Sequence, residues 1–181
     1  MYIDLHTHSI ASDDSKASVE NFAKWTHVLR NKGFSIDGFV LTEHRQFDSF
    51  VDYSELSKEY DILILKGAEL DTDCGHFLVY GINEKIHNLI DFKDISISAE
   101  YLIEICKQHS AIAIPAHPGR EGIGFFEHLN TYPNILNKIS ILEGLNSSNR
   151  PNEQDNTNIF IEKYKYPNVG GSDSHIVSSL G

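Results

Sequence analysis

Cysteine is scarce in this chain, with only Cys74 and Cys106 among 181 residues. Two thiols cannot build a disulfide framework, and their spacing excludes the Cys-x-x-Cys pair of a thiolate zinc site. They fit reduced thiols in a cytoplasmic protein. Long apolar runs are missing too. No stretch approaches the ~20 residues needed to span a bilayer, and Met1-Tyr2-Ile3-Asp4-Leu5-His6 lacks the basic start and apolar core of a secretory leader. The expectation is a soluble, cytoplasmic protein with no membrane partner. Basic charge is the third shortage: 15 Lys+Arg face 26 Asp+Glu, a formal net charge of −11. That balance argues against tracking along long duplex nucleic acid by bulk electrostatics, while leaving room for a local basic pocket. The same acidity suits a chain that concentrates divalent cations, and equally a solvated acidic surface that keeps the protein soluble. Repeats, low-complexity tracts and interdomain linkers are absent. The length and a hydrophobic content of 40% are in the range of one globular domain covering residues 1–181.

What is present is an alternation of short apolar runs with amphipathic segments. Tyr2 to Leu5 reads as a strand, and Val19 to Lys32 places Val19, Phe22, Ala23 and Leu29 on one helical face before Gly33. Gly38 to Leu41, Asp61 to Leu65, His76 to Gly81, Ala111 to Ile114, Lys138 to Leu142 and Val169 to Gly171 read as further strands. A less regular helical stretch covers Ser49 to Glu59. Ser98 caps a helix with Tyr101, Leu102, Ile105 and Cys106 on its buried side, and a last helix covers Asp155 to Tyr164 with Ile159 and Phe160 at turn spacing. Residues 82–96 carry little pattern and read as connection, and Asn146 to Pro151 as a polar loop. Repeated strand-then-helix order predicts a parallel sheet flanked by helices, with its active site at the carboxyl ends of the strands.

Residue types that bind metal recur at those ends. In Asp4-Leu5-His6-Thr7-His8, alternate side chains of a strand share a face, so His6 and His8 can point at one ion. An isolated His-x-His is equally well two polar residues at a strand end. The weight comes from recurrence: His44, Glu69, His117, Glu143, Asp173 and His175 each follow an apolar run, and His76 opens one. His27, His87, His109 and His128 lie in helices or connections and are set aside as surface or capping residues.

The ordered set His6-x-His8, Asp13, Thr42-Glu43-His44, Gly67-Ala68-Glu69, His76, His117-Pro118-Gly119-Arg120 and Ser172-Asp173-Ser174-His175 resembles the PHP (polymerase and histidinol phosphatase) family of metal-dependent phosphoesterases. His-x-His alone also suits amidohydrolases, which commonly place a metal-bridging lysine on a central strand; here Glu69 takes that kind of place. The resemblance implies a distorted (β/α)7 barrel holding two to three divalent ions. His6, His8, Glu69 and Asp173 would hold one, Glu69 would bridge to a second held by His76 and His117, and Asp13, His44 and His175 would hold the third. Nitrogen and carboxylate ligands suit manganese, zinc or iron. The implied chemistry is hydrolysis of a phosphate ester by metal-activated hydroxide, with Arg120 and Arg150 on strand-end loops binding phosphate oxygens and Glu143 and Asn146 orienting water or substrate or serving structure. The expected substrate is a small phosphate monoester, a nucleotide or a short oligonucleotide end. Histidinol phosphate is the alternative substrate, and a non-catalytic metal-binding regulatory module the alternative of a different class. Three departures stand out: Glu43 where the family usually has Asp, Asp14 where glycine is common, and an end soon after His175 where another helix would cover the barrel. The last reads as a short family member or a truncated chain; oligomeric state is left open.

Overall fold

A computed structural model describes residues 1–181. In order, the strands are β1 (Ile3–Thr7), β2 (Gly38–His44), β3 (Leu63–Thr72), β4 (Gly75–Tyr80), β5 (Ile112–Pro115), β6 (Leu142–Asn146) and β7 (Asn168–Gly171). The helices are α1 (Val19–Asn31), α2 (Ser54–Tyr60), α3 (Glu84–Leu89), α4 (Ala99–Gln108) and α5 (Pro151–Tyr164), with short 3-10 turns at Phe125–His128, Pro133–Asn137 and Val177–Ser179. No helix is long and apolar enough to cross a membrane.

Seven strands are present, but they do not form one continuous parallel barrel. A five-stranded sheet runs β1-β2-β3-β4-β5, and β6 and β7 pair in a separate two-stranded sheet. β1, β2 and β3 are parallel, whereas β4 is antiparallel to both β3 and β5. The cause is local: Thr72 and Gly75 leave only Asp73 and Cys74 between the strands, too little for a crossover, so the chain turns back on itself. Gly75 has φ +89, the left-handed conformation that a side chain disfavours. The expected (β/α)7 order is therefore corrected to a curled mixed sheet. Its free β1 edge meets the segment after β7, with Asp173 N donating to His6 O at 2.8 Å and His8 N to Ser174 O at 2.9 Å.

Period-2 alternation sorts the strand residues between two sides. Ala68, Leu70, Phe77 and Val79 pack outward with Leu102, Cys106 and Phe125, and Phe39 and Leu41 pack with Phe22, Ala23 and Ile62 under α1. Residues of the opposite parity, including His44, Glu69 and His76, turn into the curl. Leu78, Ile114 and Ala116 form a small apolar cluster of their own, the one to which β4 sends Leu78 between Phe77 and Val79.

Element bounds and buried faces differ from expectation in several places; β3, for one, runs from Leu63 to Thr72 and so carries Glu69 inside the strand. α5 starts at Pro151 because the Glu153 carboxylate accepts from Arg150 N at 2.8 Å and proline suits the first helical position. α3 exists within the patternless 82–96 stretch, capped by Asn83 and burying only Ile86, which left no periodicity to detect. β6 starts at Leu142, where pairing with Asn168 begins, and so carries Glu143 inside the strand. On α4, Ile103 is buried and Tyr101 is exposed, as Ile159 is on α5.

Both thiols lie in the outer core. Burial, reinforced at Cys74 by Asp73, pushes each up to about 12, so thiolate is negligible near neutrality. Neither cysteine is expected to react with an aromatic disulfide reagent at pH 8 until the protein is unfolded; rapid labelling of the native chain would contradict this packing.

Candidate metal centre

β3 carries the centre. Glu69 lies mid-strand, in register with His44 on β2 and Leu78 on β4, and its side chain is 1% exposed. Its two oxygens face different imidazoles. Oε2 lies 3.3 Å from Nε2 of His6, 3.3 Å from Nε2 of His8 and 3.0 Å from Nδ1 of His44. Oε1 lies 3.0 Å from Nδ1 of His76 and 2.9 Å from Nε2 of His117. Asp173 Oδ1 joins the first set, 3.4 Å from His6 Nε2 and 3.3 Å from His8 Nε2.

Three groups have ligand atoms within 4.8 Å of one another: His6, His8, Glu69 and Asp173; Glu69, His76 and His117; and His8, His44 and His175. The antiparallel turn of β4 explains how a residue that opens a strand arrives beside one that follows a strand core. His76 pairs with Asp71 in register, and its Nε2 lies 3.1 Å from Asp71 Oδ1.

The donor chemistry fits divalent cations. His8 is fully buried, yet its Nε2 has no hydrogen-bond partner while aimed at two carboxylate oxygens. Such an orphan is costly in a protein interior unless something satisfies it. His6 is held in position from behind. Its Nδ1 lies 2.9 Å from Glu143 Oε1, and with Nδ1–H donating there the Nε2 lone pair faces Glu69 and Asp173. The other oxygen of Glu143 accepts from His117 N at 2.6 Å and from Asn146 Nδ2 at 3.0 Å. Gly171 must be small for the same reason: a Cβ there would collide with the His6 Cβ and come within 2.7 Å of Glu143 Oε1.

The charges are mutually dependent. Burial opposes ionisation of Glu69, but His6 and hydrogen bonds from His117 and His44 outweigh it and hold the carboxyl well below its ordinary value. Asp173 is depressed in spite of burial by His6, His8 and Arg120, and Glu143 by His6. Burial disfavours the His6 imidazolium, yet Glu143, Asp173 and Glu69 raise its pKa well above the usual value. Protons and cations compete for these nitrogens, so cation affinity falls as pH drops.

Six residues other than glycine have left-handed backbones, and three of them follow strand ends: Arg45 (φ 52), His117 (φ 28) and Asp173 (φ 54). Each such residue costs about 1 kcal/mol or more. All three line the central cavity of about 340 Å³, together with Asp14, His44, Asp71 and His175 among others.

Two expected residues are not where the sequence put them. Asp13 is exposed, its nearest charged partner Arg45 at 3.9 Å, and it does not reach His44 and His175. Asp14 does, with Oδ2 3.3 Å from His44 Nε2 and 3.2 Å from His175 Nε2. Arg150 points to the surface, 73% exposed and 3.8 Å from Glu121, because its backbone serves the start of α5. Arg120 does line the cavity, but its Nη2 is taken by Asp173 Oδ2 at 2.8 Å and by Asn146 and Asn149 at 3.1 Å. Glu43 contacts neither His44 ring nitrogen. It accepts from Ser9 N and, at 2.5 Å, from Ser12 Oγ, fixing the loop that presents Asp13 and Asp14. Asp14, Asp71 and Arg45 also face the cavity without a strand-end signal of their own, although Asp71 stands two residues from Glu69 on the same strand face and Arg45 directly follows His44. None of the four histidines set aside enters a ligand group.

Glu143→Gln is expected to keep the fold and to weaken cation binding about 10–100-fold by loosening the His6 tautomer, as read by competition with a chromophoric chelator. Unchanged affinity would leave Glu143 a structural stitch alone.

No family model matches the chain. A curated relative, the uncharacterized protein MJ1587 of Methanocaldococcus jannaschii, is 28% identical over 125 residues, 65% of this chain and 68% of that one. A solved protein of Bifidobacterium adolescentis, assigned as a metal-dependent phosphoesterase, is similar over 97% of this chain and 88% of its own, with TM-score 0.67 and 16% identity. A two-domain Bacteroides vulgatus protein with an assigned PHP-like metal-dependent phosphoesterase matches 97% of this chain over 52% of its own length, with TM-score 0.64 and 20% identity. The lesion-specific endonuclease EndoQ of Pyrococcus furiosus matches 99% of this chain over 50% of its length, with TM-score 0.69 and 12% identity. The chain shares its fold with these three proteins, two of them assigned as metal-dependent phosphoesterases and one of those as PHP-like.

Proposed function

We propose that the chain is a metal-dependent phosphoesterase acting on a small phosphate monoester, a nucleotide or an oligonucleotide end. The observation that carries this reading is the Glu69 carboxylate, whose two oxygens serve two separate imidazole sets. That arrangement suits a pair of cations close together, and paired cations suit phosphoryl chemistry. His6, His8, Glu69 and Asp173 would hold one cation, Glu69, His76 and His117 a second, and His44, His175 and Asp14 a third. Imidazole and carboxylate donors without thiolate suit manganese, zinc or iron. Bound there, the cations would supply Lewis acidity that lowers the pKa of a water and offsets phosphoryl charge.

The chain's own residues orient and select. Glu143 fixes the His6 ring, and Arg120 with Asn146 fixes Asp173. Arg120 Nη1 makes no hydrogen bond within the chain and is free to take a non-bridging phosphate oxygen. No serine or cysteine nucleophile is required, and both thiols lie in the outer core. A cavity of about 340 Å³ suits a small phosphorylated group. Within that range, the fold shared with a lesion-specific endonuclease favours a phosphodiester over a monoester as the second reading.

Elemental analysis of protein purified without added metal, followed by a metal-supplemented phosphoester screen, tests the reading. Bound metal and metal-stimulated turnover are expected; neither appearing would refute it. Glu69→Gln is expected to lose cations and activity together, with activity down at least about 100-fold. In native mass spectrometry Asp14→Asn is expected to lower occupancy of the His44–His175 position and Asp13→Asn to leave it intact. The reverse pattern would return the third position to Asp13.

A further inference from the structure

His8 belongs to two of the ligand groups at once, with His6, Glu69 and Asp173 and with His44 and His175. A neutral imidazole has one nitrogen with a proton and one with a lone pair, and only the lone pair can take a cation. Which position the ring serves therefore depends on where its proton lies. We propose that Ser12, held by Glu43, is a positioning residue that keeps this proton on Nδ1 and so assigns His8, through Nε2, to the position of His6, Glu69 and Asp173 alone. The inference rests on the same metal centre as the phosphoesterase reading and adds to it two residues that touch no cation.

Three bonds at one hydroxyl carry it. Ser12 Oγ donates its only proton to Glu43 Oε2 at 2.5 Å. A carboxylate only accepts, and both Glu43 oxygens also accept from Ser9 N, at 3.0 and 3.1 Å. With its proton committed, Ser12 Oγ can only accept from its two other neighbours, His44 N at 3.0 Å and His8 Nδ1 at 3.4 Å. Nδ1 must then carry the hydrogen. That leaves the lone pair on Nε2, the atom that has no hydrogen-bond partner and lies 3.3 Å from both Glu69 Oε2 and Asp173 Oδ1. Ser12, Glu43 and His8 are all buried, where such bonds are stronger than in water.

The ring orientations agree. His6 and His8 are tilted by 60° with centroids 5.0 Å apart, which lets two in-plane lone pairs converge on one point. His44 and His175 lie nearly parallel to His8, at 22° and 25° with centroids at 4.1 and 4.3 Å, and stacked rings do not aim their in-plane lone pairs at a common ion. The third position is thus left to His44, His175 and Asp14, whose Oδ2 lies 3.3 and 3.2 Å from the two Nε2 atoms. Glu43 adjoins His44 in sequence, yet it acts through Ser12 on His8.

Long-range proton–nitrogen NMR spectra of the zinc-loaded protein, labelled in histidine, test the assignment. Wild type is expected to show His8 protonated at Nδ1 and shifted by zinc at Nε2. Ser12→Ala is expected to lose that single tautomer and to weaken one bound zinc by about 10–100-fold in chelator competition. A His8 proton on Nε2, or zinc on Nδ1, in wild type would overturn the assignment, and that result needs no variant to fold. A folded Ser12→Ala protein with tautomer and affinity both unchanged would overturn the positioning role of Ser12. Neither measurement uses turnover, so a failed assignment leaves the phosphoesterase reading standing, and an inactive protein that binds zinc is still decided by its spectra. If wild type binds no zinc, the metal centre and the assignment fall together.

Discussion

A carboxylate buried to 1% exposure and shared among five imidazole rings is the constraint on which this structure depends. Leaving such a charge unpaired in a protein interior is costly, so every neighbour of Glu69 must be brought to a defined distance. Those neighbours come from β1, β2, β4 and the segment after β5, with Asp173 from beyond β7. The curl of the sheet therefore serves electrostatics as much as packing. The apolar core lies mostly outside it, beneath the helices, and leaves the interior for polar groups.

The open seam between β5 and β6 is part of the same arrangement. No ladder crosses it, yet Glu143 on β6 accepts from the backbone of His117 after β5 and meets His6 on β1. One buried carboxylate thus ties β6 of the two-stranded sheet to both edges of the five-stranded sheet, β1 and the segment after β5. The strain at His117 and Asp173 has a comparable logic: a left-handed turn at the strand end aims the side chain back over the curl, where an extended residue would carry it past.

Much of this was legible in the sequence because strand-end position is a one-dimensional property. His6, His8, His44, Glu69, His117, Asp173 and His175 announce themselves by following apolar runs, and the structure gathers them into adjoining ligand groups that share Glu69 and His8. What the sequence concealed depends on direction. The antiparallel course of β4 turns on a two-residue connection, and the choice between Asp13 and Asp14 turns on how Glu43 pins Ser9 and Ser12. Arg150 shows the same limit from the other side: a polar residue near a strand end was taken by the N-terminus of α5, which Pro151 signals more strongly than the loop composition around it. Periodicity also failed where there was little to repeat, as in α3 with its single buried Ile86.

The β3–β4 hairpin separates the centre into parts that differ in loop-closure entropy. Glu69 and His76 are only seven residues apart and His117 lies 48 from Glu69, so a cation among them ties a stretch far shorter than the chain, part of it already ordered by the hairpin. His6 and Asp173 belong to opposite ends of the chain, joined as Asp4 and Ser172 are across 168 residues. A cation held there closes a loop almost as long as the protein, and the freedom it removes from the unfolded chain grows with that length. The two positions use the same donor types, but one is a clip across the middle of the chain and the other a clasp for the whole fold.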